Sequence, residues 1–522
     1  MSGEARGAGP GSVAPPTIAV VRVRYVVIVL AIALLGIFYV GTTGTEPTDR
    51  PMPTIAVSPK IGTGPDSPGF DAPAPAPIVW SRCGSFDCAT VAVPLDYQHP
   101  QGEQIALALK RRRAAAADRR IGSLLINPGG PGIPGTLYVD TSLFSAELRD
   151  RFDIVGWDPR GVGQSSPVRC VDDQDPYASL DPTPDTPQEQ QALIDGAKAF
   201  IAACVANSGK LLPFVSTADS ARDMEQIRRA LGEDSISYFG FSYGSELGAT
   251  YATLFPKSVR AMVIDGATDP NATFEERDRQ QVVAIERSLD KLLGQCSADA
   301  ACPFNSGGDA KGAFDRLWSD LDTNPLPVAK APGRPLVGQG VATWAIVETL
   351  YDSATWPALT KALVAARAGD GSKLLALYDS YFRRGDARFA HSIDALLAID
   401  CLDDPGPTDI AAVDALAAKE KQAAPRMGGG RSYVCSQWPY RSTKTVITGK
   451  GAGPIVVVGT TGDPFTPIES STNMAEELEG GVLLTVNADH HTGYSAKDPC
   501  AVTAVDRYLV DLVLPAAGTV CG

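Results

Sequence analysis

Residues 235–250 read Ser-Ile-Ser-Tyr-Phe-Gly-Phe-Ser-Tyr-Gly-Ser-Glu-Leu-Gly-Ala-Thr, an apolar run that enters Gly240-Phe241-Ser242-Tyr243-Gly244 and leaves through a helical pattern. Strand, tight turn and helix in this order form a nucleophile elbow. The serine sits on a strained turn with its hydroxyl exposed, and glycines two places to either side let strand and helix pack closely. In a chain with 51 glycines the pentapeptide alone is a weak signal, so its place between strand and helix carries the reading.

On either side of the elbow, apolar stretches of strand length alternate with helical patterns: Ser123 to Asn127, Phe152 to Trp157, Ile236 to Gly240, Ala261 to Asp265, Pro454 to Gly459 and Val482 to Val486. This alternation predicts an α/β fold with a mostly parallel central sheet and helices on both faces. It stops between Asp269 and about Val446, where helical periods run through Gln280 to Leu293, Val341 to Ala366, Ser372 to Phe382 and Ile410 to Ala423. The sheet resumes afterwards, so residues 270–446 read as a helical lid inserted between late strands. The catalytic domain is expected in 79–269 and 447–522. A lid over the strand ends would govern substrate access.

A serine hydroxyl needs a base to take its proton, usually a histidine oriented by a carboxylate. The chain has four histidines. In the chain order of this fold class the base follows a late strand, leaving His490 and His491. His99, in an early turn, and His391, in the insertion, read as ordinary polar residues. His491 is preferred as base because Thr492-Gly493 gives the loop a small, flexible exit, and His490 is its alternative. Asp463, in the loop after Val456 to Gly459, is the expected acid. Asp489, immediately beside the base, is poorly placed to reach its far ring nitrogen. The glycine loop Asn127-Pro128-Gly129-Gly130-Pro131-Gly132 and the residue after the nucleophile point to the Gly130 and Tyr243 amides as oxyanion donors.

Acidic residues outnumber basic ones by 60 to 46, for a net charge of −14, which argues against a nucleic-acid-binding surface. The one dense basic run, Lys110-Arg111-Arg112-Arg113, reads as a solvated strand end. No metal or organic cofactor is indicated, since the glycine loops lack the lysine and serine of a phosphate-binding loop, and no oligomeric state is implied. Ten cysteines with no pair of CxxC motifs suggest disulfides, with sequence neighbours linked as 83–88, 170–204, 296–302, 401–435 and 500–521. Export fits this. Tyr25 to Val40 is apolar and follows Arg22 and Arg24, so 25–41 reads as a signal anchor, or alternatively a cleaved signal peptide, after a cytoplasmic segment 1–24. Residues 42–78, rich in Pro, Thr, Gly and Ala, read as a linker.

Several long motifs in the same order resemble the actinobacterial secreted tripeptidyl aminopeptidases and their mycobacterial cell-envelope relatives, a branch of the α/β-hydrolases close to proline iminopeptidases. They are Cys88 to Tyr97, Asn127 to Gly132, Gly156-Trp157-Asp158-Pro159-Arg160-Gly161-Val162-Gly163, Gly244 to Pro256, Asp463-Pro464-Phe465-Thr466-Pro467 and Cys500 to Cys521. The resemblance implies a triad of Ser242, Asp463 and His491, although this chain has His490 where the family usually has glycine. It also implies release of short peptides from free N-termini, with the substrate ammonium held by lid carboxylates. In Ile399-Asp400-Cys401-Leu402-Asp403 these would be Asp403, with Asp404 beside it. A carboxylesterase or lipase using the same triad is the alternative function, and an inactive binding protein a third; the substrate is a peptide or an ester.

Overall fold

The computed structural model describes residues 71–141, 143–328, 331–495 and 498–522. The cytoplasmic segment, the apolar run 25–41 and most of the linker lie outside the described residues. Among the described residues no helix is long and apolar enough to cross a membrane.

Among the described residues ten strands form one sheet: β1 (Ser81–Cys83), β2 (Phe86–Pro94), β3 (Gln104–Arg112), β4 (Gly122–Asn127), β5 (Phe152–Trp157), β6 (Ile236–Phe241), β7 (Val259–Asp265), β8 (Ile455–Thr460), β9 (Gly481–Val486) and β10 (Val520–Cys521), in the order β1-β2-β3-β5-β4-β6-β7-β8-β9-β10. The first three strands and the β3–β5 pairing are antiparallel, and from β5 to β10 every pairing is parallel. Central strands covered on both faces need apolar residues at successive positions. In β8, Ile455 and Val457 pack into one core while Val456 and Val458 pack into the other. This double burial is why these strands stood out as unbroken apolar runs.

Among the described residues, eight α-helical segments, from Phe274–Ala298 to Tyr433–Ser436, lie between β7 and β8; the first five build a third core together with Phe465, and the last three pack into the first core of the sheet. The period expected over Val341 to Ala366 is two helices, Gln339–Leu350 and Trp356–Arg367. The chain breaks where the Asp352 carboxylate accepts the Ala354 amide at 2.9 Å and Pro357 enters the next helix without a donor. Three segments that the pattern did not reveal, Ala310–Thr323, Ser392–Asp403 and the single turn Tyr433–Ser436, complete the insertion.

Two expectations are corrected. Lys110 to Arg112 do end a strand, but Arg111 is tucked in, pairing with the buried Asp87 at 3.0 Å and with Asp153 at 3.5 Å, so the run is neutralised by its neighbours rather than solvated. Contact with the folded unit begins before Ile78: Arg229 donates to the Ala72 carbonyl at 3.0 Å and Gln226 to that of Pro73 at 3.3 Å. All five disulfides join the sequence neighbours expected, as in an extracytoplasmic protein. A fully buried ion pair, Arg160 with Asp223 at 2.6 Å, ties the turn after β5 to helix Thr217–Leu231. The same guanidinium donates to the carbonyls of Pro94, Leu95 and Phe214.

Candidate active site

β6 delivers Ser242 to the carboxyl end of the sheet with φ 55° and ψ −124°, a strained conformation held by its surroundings. A Cβ on Gly240 would lie 2.2 Å from the Gly244 carbonyl oxygen, so only glycine allows the strand and helix Tyr243–Leu254 to meet here. The glycine loop after β4 lies alongside: Gly129 has φ +92°, and a Cβ there would lie 2.4 Å from the Phe241 carbonyl oxygen. Gly130, Ser242 and Tyr243 line one cavity, and the amides of Gly130 and Tyr243 make no backbone hydrogen bond among the described residues.

Asp463 follows β8 and His491 follows β9. His491 Nδ1 donates to the Asp463 carboxylate, 2.9 Å from each oxygen, leaving Nε2 as the nitrogen able to accept a proton. The carboxylate also accepts the Phe465 amide at 2.8 Å, the Thr466 amide at 2.9 Å and the Thr466 hydroxyl at 3.0 Å. Burial alone would raise the Asp463 pKa, yet the His491 charge and these donors leave it below its ordinary value. Burial works to lower His491, but Asp463 and Asp265 together hold it above its ordinary 6.5.

The alternatives are engaged elsewhere. His490 Nδ1 donates to the Thr492 carbonyl at 2.7 Å, and Asp489 pairs with Lys291 at 2.6 Å. His99 sits at the surface beside Asp96, and His391 pairs with Asp394 at 2.8 Å.

Three contributors to the histidine loop escaped the sequence reading. Asp265, at the end of β7, accepts the Gly493 amide at 2.6 Å and the Tyr494 amide at 2.7 Å. Tyr351, from the insertion, accepts the His491 amide at 2.9 Å on its carbonyl, and its ring lies 5.7 Å from the imidazole. The Thr466 hydroxyl stands 3.3 Å from His491 Nδ1. Thr466 lay in a quoted motif and Asp265 closed an expected strand beside the elbow, whereas no local pattern marks Tyr351.

The cavity at Ser242 has a volume of about 290 Å³, and its lining is acidic: Glu246, Asp269, Asp278, Asp400, Asp403 and Asp404, with Arg277 among them. Asp403 accepts the Thr217 amide and the Ser442 hydroxyl, each at 2.7 Å. Asp404 is paired with Arg277 and lies 3.6 Å from Lys444. Asp400 has no hydrogen-bonded side-chain partner among the described residues. Its side chain is exposed to the open cavity, while the protein packed around it displaces part of its solvent and pushes its carboxyl up to about 7. Loss of solvent is the main cause; Arg277 opposes it, and Glu246, Asp403 and Asp404 add to it. Desolvation likewise pushes Asp403 up to about 6. The disulfide Cys401–Cys435 ties this helix to Tyr433–Ser436, and Cys435 lines the cavity.

Asp498, Cys500 and Cys521 form the one cluster with metal-ligand spacing among the described residues, but the two sulfurs are bonded to each other and offer no thiolate.

A family model described as the alpha/beta hydrolase fold matches residues 122–307, and one described as TAP-like protein matches 424–521. The chain is 36% identical over 480 residues to serine protease Hip1 of Mycobacterium tuberculosis, covering 85% of this chain and 91% of that protein. The chain belongs to the TAP-like α/β-hydrolases. It is a serine hydrolase. Within that family it is also 31% identical to tripeptidyl aminopeptidase of Streptomyces lividans, covering 84% of this chain and 85% of that one. Carboxylesterase B of Mycobacterium tuberculosis is 34% identical, covering 89% of this chain and 94% of that protein.

Proposed function

We propose that this TAP-like hydrolase is an exported exopeptidase that releases short peptides from free N-termini through an acyl-enzyme on Ser242. In this reading His491 takes the proton of the Ser242 hydroxyl and passes it to the leaving amine. Asp463 holds the imidazole and stabilises its charged form. The amides of Gly130 and Tyr243 receive the oxyanion, and water then releases the acyl group by the same steps. The insertion 270–446 serves as the lid of the catalytic domain 79–269 and 447–522, and Tyr351 makes it a support of the base as well. Residues 25–41 anchor the protein in the membrane, with 1–24 on the cytoplasmic side.

The observation that carries the peptidase reading is the acidic lining of the cavity at Ser242. Six carboxylates line it against Arg277 and the nearby Lys444, an excess of acidic groups. Asp400 and Asp403 lie one helical turn apart on one face. Asp403 and Asp404 spend part of their capacity on internal partners, so Asp400 is the primary seat of the substrate ammonium and Asp403 its neighbour. A neutral acyl ester would leave Asp400 without a partner.

The test compares a free-amine tripeptide amide, its N-acetylated form and an acyl ester side by side. The free amine should be turned over at least about tenfold more efficiently than the acetylated form, as expected for loss of a close charge pair. Equal rates on the two peptides, or turnover of the ester alone, would replace this reading with the esterase one. Fluorophosphonate labelling abolished by Ser242→Ala would dispose of the inactive binding protein.

A further inference from the structure

A second cavity, of about 310 Å³, adjoins the one at Ser242 and shares Phe274, Asp278, Leu397, Ser432 and Cys435 with it. Its character is opposite. Aromatic rings from Tyr177, Trp344, Tyr381 and Phe382 and the aliphatic Leu396 and Leu416 dominate the lining. An apolar cavity of ~150 Å³ already takes up benzene, so this chamber has room for a large hydrocarbon group.

One helix joins the two cavities. On Ser392–Asp403, Ile393, Leu396 and Leu397 line the apolar chamber, while Leu397, Asp400 and Asp403 line the acidic cleft. Positions 393, 396, 397, 400 and 403 follow the three-and-four spacing of a single helix face. The change from apolar to anionic therefore takes place within one helical turn, about 5.4 Å. A ligand crossing that boundary carries a cation and a hydrocarbon group within about 5 Å of each other, and an α-amino acid residue with a free ammonium and an apolar side chain does so. An acyl ester supplies the hydrocarbon without the cation.

The geometry points to a specificity site for the first residue of the peptide: its ammonium rests at Asp400 and its large apolar side chain fills the chamber beyond Leu397. This assignment rests on the exopeptidase reading above. Leucine or phenylalanine at the first position is selected over glycine because the chamber strips its side chain of water. Elsewhere in the peptide the same residue gains nothing from it.

The experiment measures kcat/KM for free-amine tripeptide amides that differ only in the first residue, Gly, Leu or Phe, on the full chain and on two chamber-filling variants, Thr343→Trp and Val282→Trp. Both positions line the chamber and neither lines the cleft at Ser242. The wild type should favour Leu or Phe over Gly by about tenfold or more, the discrimination that even one methylene can supply. The variants should lose that preference and keep the wild-type rate on the Gly peptide, which also reports that they fold. Equal wild-type rates on all three peptides would overturn the chamber assignment and leave the exopeptidase reading standing. Conversely, acetylated and free peptides cleaved alike would sink the exopeptidase reading. If rates on acyl esters then rose with chain length and fell in Thr343→Trp, the chamber would be an acyl site, and the assignment to an N-terminal residue would be wrong.

Discussion

The amide of Ser242 donates to the backbone carbonyl of Asp265 at 2.8 Å, while the Asp265 carboxylate grips the amides of Gly493 and Tyr494 just beyond His491. One residue at the end of β7 thus sets the distance between nucleophile and base. An asparagine there offers one acceptor where two amides need holding, so Asp265→Asn should loosen the histidine loop. We expect kcat to fall by up to about a hundredfold, the scale of a 1 Å misplacement, with KM little changed. A variant with unaltered kcat would show that the β7 terminus does not position the base.

The pH profile follows from His491. The base works only when neutral, and its pKa is held above 6.5, so kcat/KM should be low in acid and rise through an apparent pKa above that value. Replacing Asp463 with asparagine removes the main support of the charged imidazole. That variant should lose roughly 10⁴ in kcat, and its remaining rising limb should move to lower pH. A limb that stayed in place would mean another group controls it.

Asp400 has a consequence for stability that is separate from catalysis. Its carboxyl titrates near 7 in the folded chain against an ordinary 3.8, so the folded state holds its proton longer than the unfolded state. Stability from this group is unaffected below the ordinary value, declines as pH rises between the two, and is lowest above 7. Asp400→Asn should therefore melt higher than wild type at pH 8 and match it at pH 4, while turning over free-amine peptides poorly. Equal melting at pH 8 would mean that the cavity solvates this carboxylate fully.

Arg160 and Asp223 are buried together, and removing one partner strands the other. Arg160→Met should cost about 3–5 kcal/mol, read as a shift in the denaturant midpoint. A shift under about 1 kcal/mol would place the pair among those that contribute little.

The features legible in the sequence were those set by local rules. β4 and β8 announced themselves as apolar runs because both of their faces are covered. Ser242 was marked by its glycines, and Asp463 by its place after a late strand. Residues brought in by tertiary contact stayed hidden. Tyr351 reaches His491 from the insertion across 140 positions, and nothing in Leu350-Tyr351-Asp352 signals it. Asp400 stood in the motif that drew attention to Asp403, but which carboxylate is left unpartnered depends on where Thr217, Ser442, Arg277 and Lys444 fall.

Cys401–Cys435 offers a last test, because it fastens the acidic helix beside the cleft. Mild reduction, or Cys401→Ser with Cys435→Ser, should narrow the preference for free over acetylated peptides while fluorophosphonate labelling of Ser242 persists. Undiminished preference would show that packing alone holds the helix.

That fastening also has a cellular meaning. A newly made chain in a reducing cytoplasm carries two thiols where the wall needs a bond, so its grip on amine termini is unfinished. On the reading proposed above, its preference for free N-termini is sharpened only where that disulfide can form, outside the reducing compartment in which polypeptides are made.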